Sequence, residues 1–243
     1  MICGTVNKRI HSYFSLTNNR RNQIKKRILF GMLFFALFSI SCSDNATEPN
    51  DNLSFSIAMD NTLPKIANSD IVLTNVKILI RDLKLKALSG EDTSNVRTGV
   101  FVATLNMDGT VTEIALSDLP VGNYESSKFE IHKLEPTETP PDPDFAEDSS
   151  RYSVIVEGTY LENEFIYKSK KPAHQHVKFD EPIELVDGGV LNITLVVNPN
   201  EWFVKNGETL DPTDIKNEHV IDNLIKDSFN RAFKDQNRDG QPD

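Results

Sequence analysis

The sequence predicts a mainly β domain, an antiparallel β-sandwich with one C-terminal amphipathic helix. Three observations carry this. Apolar and polar residues alternate in short runs between residues 53 and 204, turn-forming residues separate those runs, and a helical period emerges only after Trp202-Phe203. Strand side chains point alternately to opposite faces, so a period of two marks a strand with one face buried. Recurrence every three to four residues marks one face of a helix.

Leu53, Phe55, Ile57 and Met59 alternate with Ser54, Ser56, Ala58 and Asp60, a half-buried strand. Ile71 to Leu88 continues the pattern, with Val76, Ile78 and Ile80 followed by Leu83 and Leu85; the change of phase at Arg81-Asp82 predicts a bulge or bend. Gly99–Leu105 and Thr110–Leu116 flank Asn106-Met107-Asp108-Gly109, whose Asp-Gly predicts an antiparallel hairpin. In Leu119-Pro120-Val121-Gly122-Asn123-Tyr124 a proline presets the turn and a glycine tolerates positive φ, leading into a strand over Tyr124–Leu134. Arg151–Thr159 and Glu164–Ser169 flank a short connection around Leu161-Glu162-Asn163. His176–Leu185 and Gly189–Val197 flank Asp187-Gly188-Gly189, a third hairpin candidate.

Val220, Ile221, Leu224, Ile225, Ser228, Phe229, Ala232 and Phe233 form one apolar stripe on a helix expected from about Asn217 to Lys234, covering an open side or end of the sandwich. The segment Glu135–Ser150 combines Pro136, Pro140, Pro141 and Pro143 with six acidic residues, Glu135, Glu138, Asp142, Asp144, Glu147 and Asp148. Proline lacks a backbone donor, so this segment is expected as a long exposed loop and a place for a partner or ion.

Charge is divided unevenly. Residues 1–41 hold seven basic and no acidic residues. Removing them leaves 19 basic against 36 acidic, a net charge of about −17 where the whole chain carries −10. A polyanionic partner such as nucleic acid is therefore not expected, with no basic patch to displace phosphate counterions, whereas cations and positively charged surfaces remain plausible partners. Of the two cysteines, Cys3 and Cys42, the first lies in the basic segment, so no disulfide framework is available and the domain relies on its own core or on a metal.

Lys25-Lys26-Arg27 precedes an apolar run from Ile28 to Ile40, and small residues lead to Cys42. This is the order of a signal peptide. A run of that length rises about 20 Å as a helix, short of a hydrocarbon core about 30 Å thick. Residues 1–24 exceed what a signal needs, consistent with a true start further along. Ser39-Ile40-Ser41-Cys42 resembles the lipobox of bacterial lipoproteins, with Ser39 where that pattern prefers Leu; an ordinary signal peptide cleaved near Ser43 is the alternative. The resemblance implies a diacylglycerol thioether on Cys42, which becomes the mature N-terminus. Two acyl chains anchor stably where one is marginal. The polar run 42–52 then reads as a flexible tether. Ser43 suits sorting to the outer membrane rather than the inner, with the face left open.

The expected organisation is therefore signal segment 1–41, tether 42–52, sandwich 53–204, helical extension 205–234 and a C-terminal loop 235–243. Together with Leu119-Pro120-Val121-Gly122-Asn123-Tyr124, Val156-Glu157-Gly158-Thr159-Tyr160, Trp202-Phe203 and Asp211-Pro212, this looks like uncharacterised bacterial envelope lipoproteins with an immunoglobulin- or transthyretin-like domain. The resemblance implies a fold and an anchor but no activity.

Asp235, Asn237, Asp239, Gly240 and Asp243 follow the spacing D-x-N-x-D-G-x-x-D, matching the first nine positions of a calcium loop. Oxygen ligands on alternate residues would wrap a hard cation while Gly240 allows the sharp turn. The bidentate glutamate of position 12 is missing, so the expectation is weak Ca²⁺ binding, with the Asp243 terminal carboxylate, water or the 135–150 loop completing the shell. His174 and His176 share one face of a strand and offer a weaker alternative metal site. No GxSxG, HExxH, CxxC or phosphate-cradling glycine loop occurs. The expected function is thus a membrane-anchored, non-catalytic binding or structural module whose envelope partner the sequence does not name. The alternatives are glycan binding on Tyr152, Tyr160, Tyr167 and Trp202, or a hydrolase with a sequence-distant site.

Overall fold

The computed structural model describes residues 51–60, 70–88 and 93–243. The expected signal segment, Cys42 and the tether as far as residue 50 lie outside them. The elements are β1 (Leu53–Met59), β2 (Ile71–Ala87), β3 (Thr93–Leu105), β4 (Thr112–Ser117), β5 (Gly122–Ile131), β6 (Ala146–Glu147), β7 (Ser150–Arg151), β8 (Val154–Tyr160), β9 (Asn163–Ser169), β10 (Ala173–Leu185), β11 (Leu191–Val197), β12 (Val204–Lys205), β13 (Glu208–Thr209), α1 (Ile215–Asp227) and β14 (Arg231–Lys234).

Ten strands form one curled sheet in the order β4-β1-β11-β14-β10-β5-β2-β8-β9, with β3 also on β2. Phe55, Ile57, Ile193 and Leu195 share a single buried cluster with Ile78, Ile80, Leu83, Phe129 and Val177, so the two halves of the sheet fold over one core. The fold is mainly β and sandwich-like with one helix, as the periodicity predicts. Two pairings correct the expected all-antiparallel arrangement: β1–β11 and β10–β14 are parallel. Parallel strands are characteristically covered on both faces, and every residue of β1 and β11 is buried. Ser54 and Ser56, expected to face solvent, lie beneath other chain.

The bulge falls where the phase change puts it. Arg81 pairs with Glu130 and Lys84 with Lys128, so Asp82 and Leu83 together oppose Phe129, and Asp82 takes a φ of 54°. Tyr124 enters β5 with its hydroxyl donating to the Pro120 carbonyl at 2.7 Å, which braces the Pro-Val-Gly turn.

Two expected hairpins are corrected. The Asn106–Gly109 turn forms, with the Gly109 N–H donating to the Asn106 carbonyl at 3.0 Å, but β3 pairs with β2 while β4 pairs with β1. The turn therefore carries the chain from one half of the sheet to the other. Likewise β14 is inserted between β10 and β11, so the Asp187-Gly188-Gly189 turn joins strands that part. The connection around Leu161-Glu162-Asn163 does close a hairpin, β8–β9. Tyr160 pairs with Asn163 across Leu161 and Glu162, whose φ values of 48° and 67° define a left-handed two-residue turn.

The helix is shorter than its periodicity predicts. Asp214 caps it by accepting the Lys216 N–H at 3.0 Å. It stops at Asp227, and residues 231–234, read as its last turn, form β14 instead. Ala232 and Phe233 fit the helical stripe, but as a strand they satisfy backbone groups of β11 and β10 at once, which tertiary pairing favours over local period. The Ser228 hydroxyl marks the break by accepting the Trp202 indole N–H at 2.8 Å. Ile221 and Ile225 are buried against the core. Trp202 is fully buried, and its truncation to Ala would cost about 3–5 kcal/mol.

The acidic Glu135–Ser150 segment is mostly exposed, as expected, but Phe145 is buried and makes it a strap. Leu134 and Phe145 join Leu79, Tyr152 and Ile155 in a second small core on the outer face of β2 and β8. Asp142 and Asp144 each accept from Lys77 at 2.7 Å, Glu138 from Arg81 at 2.6 Å, and Glu147 from Lys168 at 2.8 Å. Asp142 first, and Asp144 next, hold the Lys77 ammonium above its usual pKa. Exposed ion pairs add little stability; burial of Phe145 is what fixes the strap.

Neither Leu161 nor Glu162 suits the left-handed region, which costs a non-glycine residue about 1–2 kcal/mol. Leu161→Asn/Glu162→Gly should therefore raise stability by about 1–2 kcal/mol and the melting temperature by several degrees in thermal unfolding. An unchanged or lower melting temperature would show that the Leu161 side chain contributes more than its backbone strain costs.

Candidate functional site

All four expected calcium ligands lie on one short loop that leaves β14 and folds over the outer face of β1 and β11. Asp235 is fully buried. Its Oδ2 accepts the Thr194 hydroxyl at 2.7 Å and the Gly240 N–H at 3.1 Å, and its Oδ1 accepts the Asp239 N–H at 3.0 Å. Asn237 Oδ1 accepts the Asp239 N–H at 3.1 Å, and Asp239 Oδ1 accepts the Gln241 N–H at 2.9 Å. Asp243 returns to the start of the loop, its Oδ2 accepting the Gln236 N–H at 2.8 Å. Gly240 takes a φ of 79°, the left-handed turn that its place in the motif requires.

The loop thus brings its oxygens toward its own backbone amides. Among the described residues no group of three or more His, Cys, Asp or Glu side chains is arranged to hold a metal ion. Asp235 Oδ2 already has two donors, which fills an oxygen's acceptor capacity, while Oδ1 retains a lone pair. The 135–150 carboxylates expected to complete the shell are engaged instead: Glu138, Asp142, Asp144 and Glu147 are tied to Arg81, Lys77 and Lys168.

Asp235 has a structural role that its motif position does not reveal. Ser56 donates to Asn192 Oδ1 at 3.0 Å, the Asn192 amide donates to the Asp235 carbonyl at 2.7 Å, and Thr194 donates to its carboxylate, all of them buried. This polar layer explains why Ser54, Ser56, Asn192 and Thr194 occupy a covered sheet face. The alternation of Asn192 and Thr194 with apolar residues was its sequence signal, but it reads equally well as an ordinary solvent face.

His174 and His176 do share the outer face of β10, as their spacing predicts, but they turn to different partners. His174 Nδ1 lies 3.2 Å from Glu130 Oε1, and His176 Nε2 lies 3.0 Å from the Ser126 hydroxyl. Partial burial, followed by the charges of Lys128, Lys86 and Lys178, lowers the His176 pKa below its usual value. A cation is repelled where those lysines stand, so the pair does not converge on a metal.

Trp202, Tyr167 and Tyr152 are buried and Tyr160 is half-buried, so the aromatics expected as a sugar-stacking surface belong to the interior. Tyr167 and Ser169 both donate to Asp222 Oδ1, at 2.8 and 2.6 Å, and so dock α1 on β9. Burial first, then the Asp222 charge, pushes the Tyr167 pKa upward, so its hydroxyl stays a donor. No imidazole joins this cluster; His219 Nε2 lies 3.3 Å from the Asn223 amide.

The class that these features define is a two-layered, mainly β domain carrying a C-terminal polar loop. No protein-family model matches the chain, and no curated protein matches it. Among solved structures, MbnP from Methylosinus trichosporium is similar at a TM-score of 0.39 and 8% identity, over 62% of this chain and 75% of that one.

Removing the Asp235 carboxylate strands the Gly240 N–H and the Thr194 hydroxyl in a covered layer and leaves the Asp239 N–H to Asn237 alone. Asp235→Ala should lower stability by about 3 kcal/mol, read as a fall in melting temperature without added metal. A variant melting like the wild type would show that the loop is not what holds β14 in place.

Proposed function

We propose that the chain is an envelope lipoprotein, anchored by lipid on Cys42, whose sandwich serves as a non-catalytic binding or structural module at the outer membrane. The observation that carries this reading is the succession of Lys25-Lys26-Arg27, the apolar run Ile28–Ile40, Ser39-Ile40-Ser41-Cys42 and a polar stretch ending where β1 begins at Leu53. A tether of that length reaches about 35 Å when extended. Among the described residues no helix is long and apolar enough to cross a membrane. Metabolic labelling with a palmitate analogue should mark the wild type, while Cys42→Ser should be unlabelled and released in soluble form. Persistent labelling of that variant would overturn the anchor.

We further propose that the C-terminal loop takes Ca²⁺ weakly through Asp235, Asn237, Asp239 and Asp243. Its support is the ligand spacing, the left-handed Gly240 and the free lone pair on Asp235 Oδ1. With affinity on the order of 10⁻⁴–10⁻³ M, Ca²⁺ at ten times its Kd should stabilise the fold by about 1.4 kcal/mol, a shift of a few degrees. Asp239→Ala should abolish the shift while sparing the buried layer that Asp235 completes. An equal shift in the variant would move the ion elsewhere, and no shift in the wild type would leave the loop purely structural.

A further inference from the structure

The outer face of β2, β5 and β10 carries basic groups in register. Across the three strands, Arg81, Glu130 and His174 form one row; Lys84, Lys128 and His176 the next; and Lys86, Ser126 and Lys178 a third. Paired residues share a face, with strands about 4.8 Å apart and alternate residues about 7 Å apart along each strand. Arg81, Lys84, Lys86, Lys128 and Lys178 thus share one face, with Glu130 as the carboxylate among these rows, on a chain whose acidic residues outnumber its basic ones by 36 to 26.

The strap makes the contrast plain. Where it crosses β2 it supplies carboxylates to Lys77 and Arg81, but it reaches no further along the strand than Glu138 on Arg81. Beyond it, Lys86 is paired with Glu125, whose carboxylate also feels the Lys178 charge, whereas the side chains of Lys84, Lys128 and Lys178 make no hydrogen bond or ion pair with any described residue. Lys84 and Lys128 stand directly opposite each other, a like-charge pair that disfavours the folded sheet. Edge protection does not account for them, because β2 and β5 are paired on both sides and lysines that guard a sheet belong on its edge strands. The depressed pKa of His176, which follows from partial burial and then from Lys128, Lys86 and Lys178, reports the same positive field.

We propose that this face is a docking surface for the anionic phospholipid headgroups of the membrane beside which the domain is tethered. The inference rests on the lipid-anchored reading for its source of bilayer, while the face can be tested without the anchor. An open, lysine-rich sheet face suits an extended array of phosphates better than a single small anion, which needs a pocket to enclose it. The acidic remainder of the domain does not prevent contact, since charges more than about 8 Å away are screened at physiological ionic strength. That remainder is repelled by an anionic surface, so docking through the lysine face sets the orientation of the domain.

The chain beginning at Ser43 serves for the test, because every described residue of the buried core lies within 53–233. It should float with vesicles of phosphatidylcholine containing about 30% phosphatidylglycerol, and not with phosphatidylcholine alone. About 0.5 M NaCl should release it. Each lysine near such a surface is worth about fivefold in partitioning, so Lys84→Gln/Lys128→Gln/Lys178→Gln should bind about a hundredfold more weakly. Its melting temperature should equal or exceed that of the wild type, since repulsion has been removed. Lys205→Gln/Lys216→Gln, away from the face, should change nothing. Equal binding by the triple variant, or no dependence on phosphatidylglycerol, overturns the proposal. Retention of the wild type on immobilised polyglutamate without vesicle binding would also overturn it, assigning the face to an acidic macromolecule. Palmitate labelling of Cys42 is read separately, so failure of the anchor and failure of the face are distinguishable.

Discussion

Four residues near the end of the chain hold the two halves of the sheet together. Strand β14 pairs with β11 through Ile193–Val196 and meets β10 where Ala232 stands opposite Phe179. Without it both strands would present unpaired backbone groups at the seam of the sandwich, and a buried peptide group with no partner is costly. Ala232 is fully buried at the junction, where a larger side chain would meet the core. The strand is pinned at its far end by Asp235, a carboxylate taken out of water and compensated by two amides and a hydroxyl. Such a group is costly to bury and costlier to strand, so the last residues of the chain close the fold.

The outer faces of the sheet are treated in three ways, and the difference follows from what lies over them. The C-terminal loop covers β1 and β11, where the outward residues are serine, asparagine and threonine joined in a satisfied polar layer. The strap covers β2 and β8, where Phe145 fills a small apolar core and acidic residues on the strap answer Lys77 and Arg81. Nothing described covers the adjoining face of β2, β5 and β10, and there the outward residues are lysines and histidines. Under the strap Lys77, Arg81 and Lys168 each have a carboxylate; beyond it the side chains of Lys84, Lys128 and Lys178 make no ion pair with any described residue.

The side chains that first suggest chemistry serve the architecture. Tyr167, Ser169 and Asp222 dock the helix, Trp202 and Ser228 mark the point where helix gives way to strand, and the sugar-stacking aromatics are packed inside. If the chain is anchored as proposed, its contact with the membrane falls to surfaces and termini rather than to a cleft. A cation at the C-terminal loop, as proposed, would reinforce the segment that already closes the sandwich.

The sequence by itself determined the local facts. Alternation located most of the strands, the phase slip at Arg81-Asp82 located the bulge, Gly240 occupies the left-handed turn its motif requires, and His174 and His176 emerge on one solvent face. Each depends on residues close along the chain, where the two-residue and 3.6-residue periods act directly. Tertiary structure alone decided who pairs with whom. The Asp108-Gly109 and Gly188-Gly189 turns were legible as turns, yet whether a turn closes a hairpin or crosses between sheet halves depends on competition for partners far away in sequence. Ala232 and Phe233 satisfied a helical stripe and became a strand for the same reason: pairing with β10 and β11 outweighed their local period. The lysine grid was invisible for a related cause, since Lys84, Lys128 and Lys178 sit on three separated segments and become neighbours only once register is fixed.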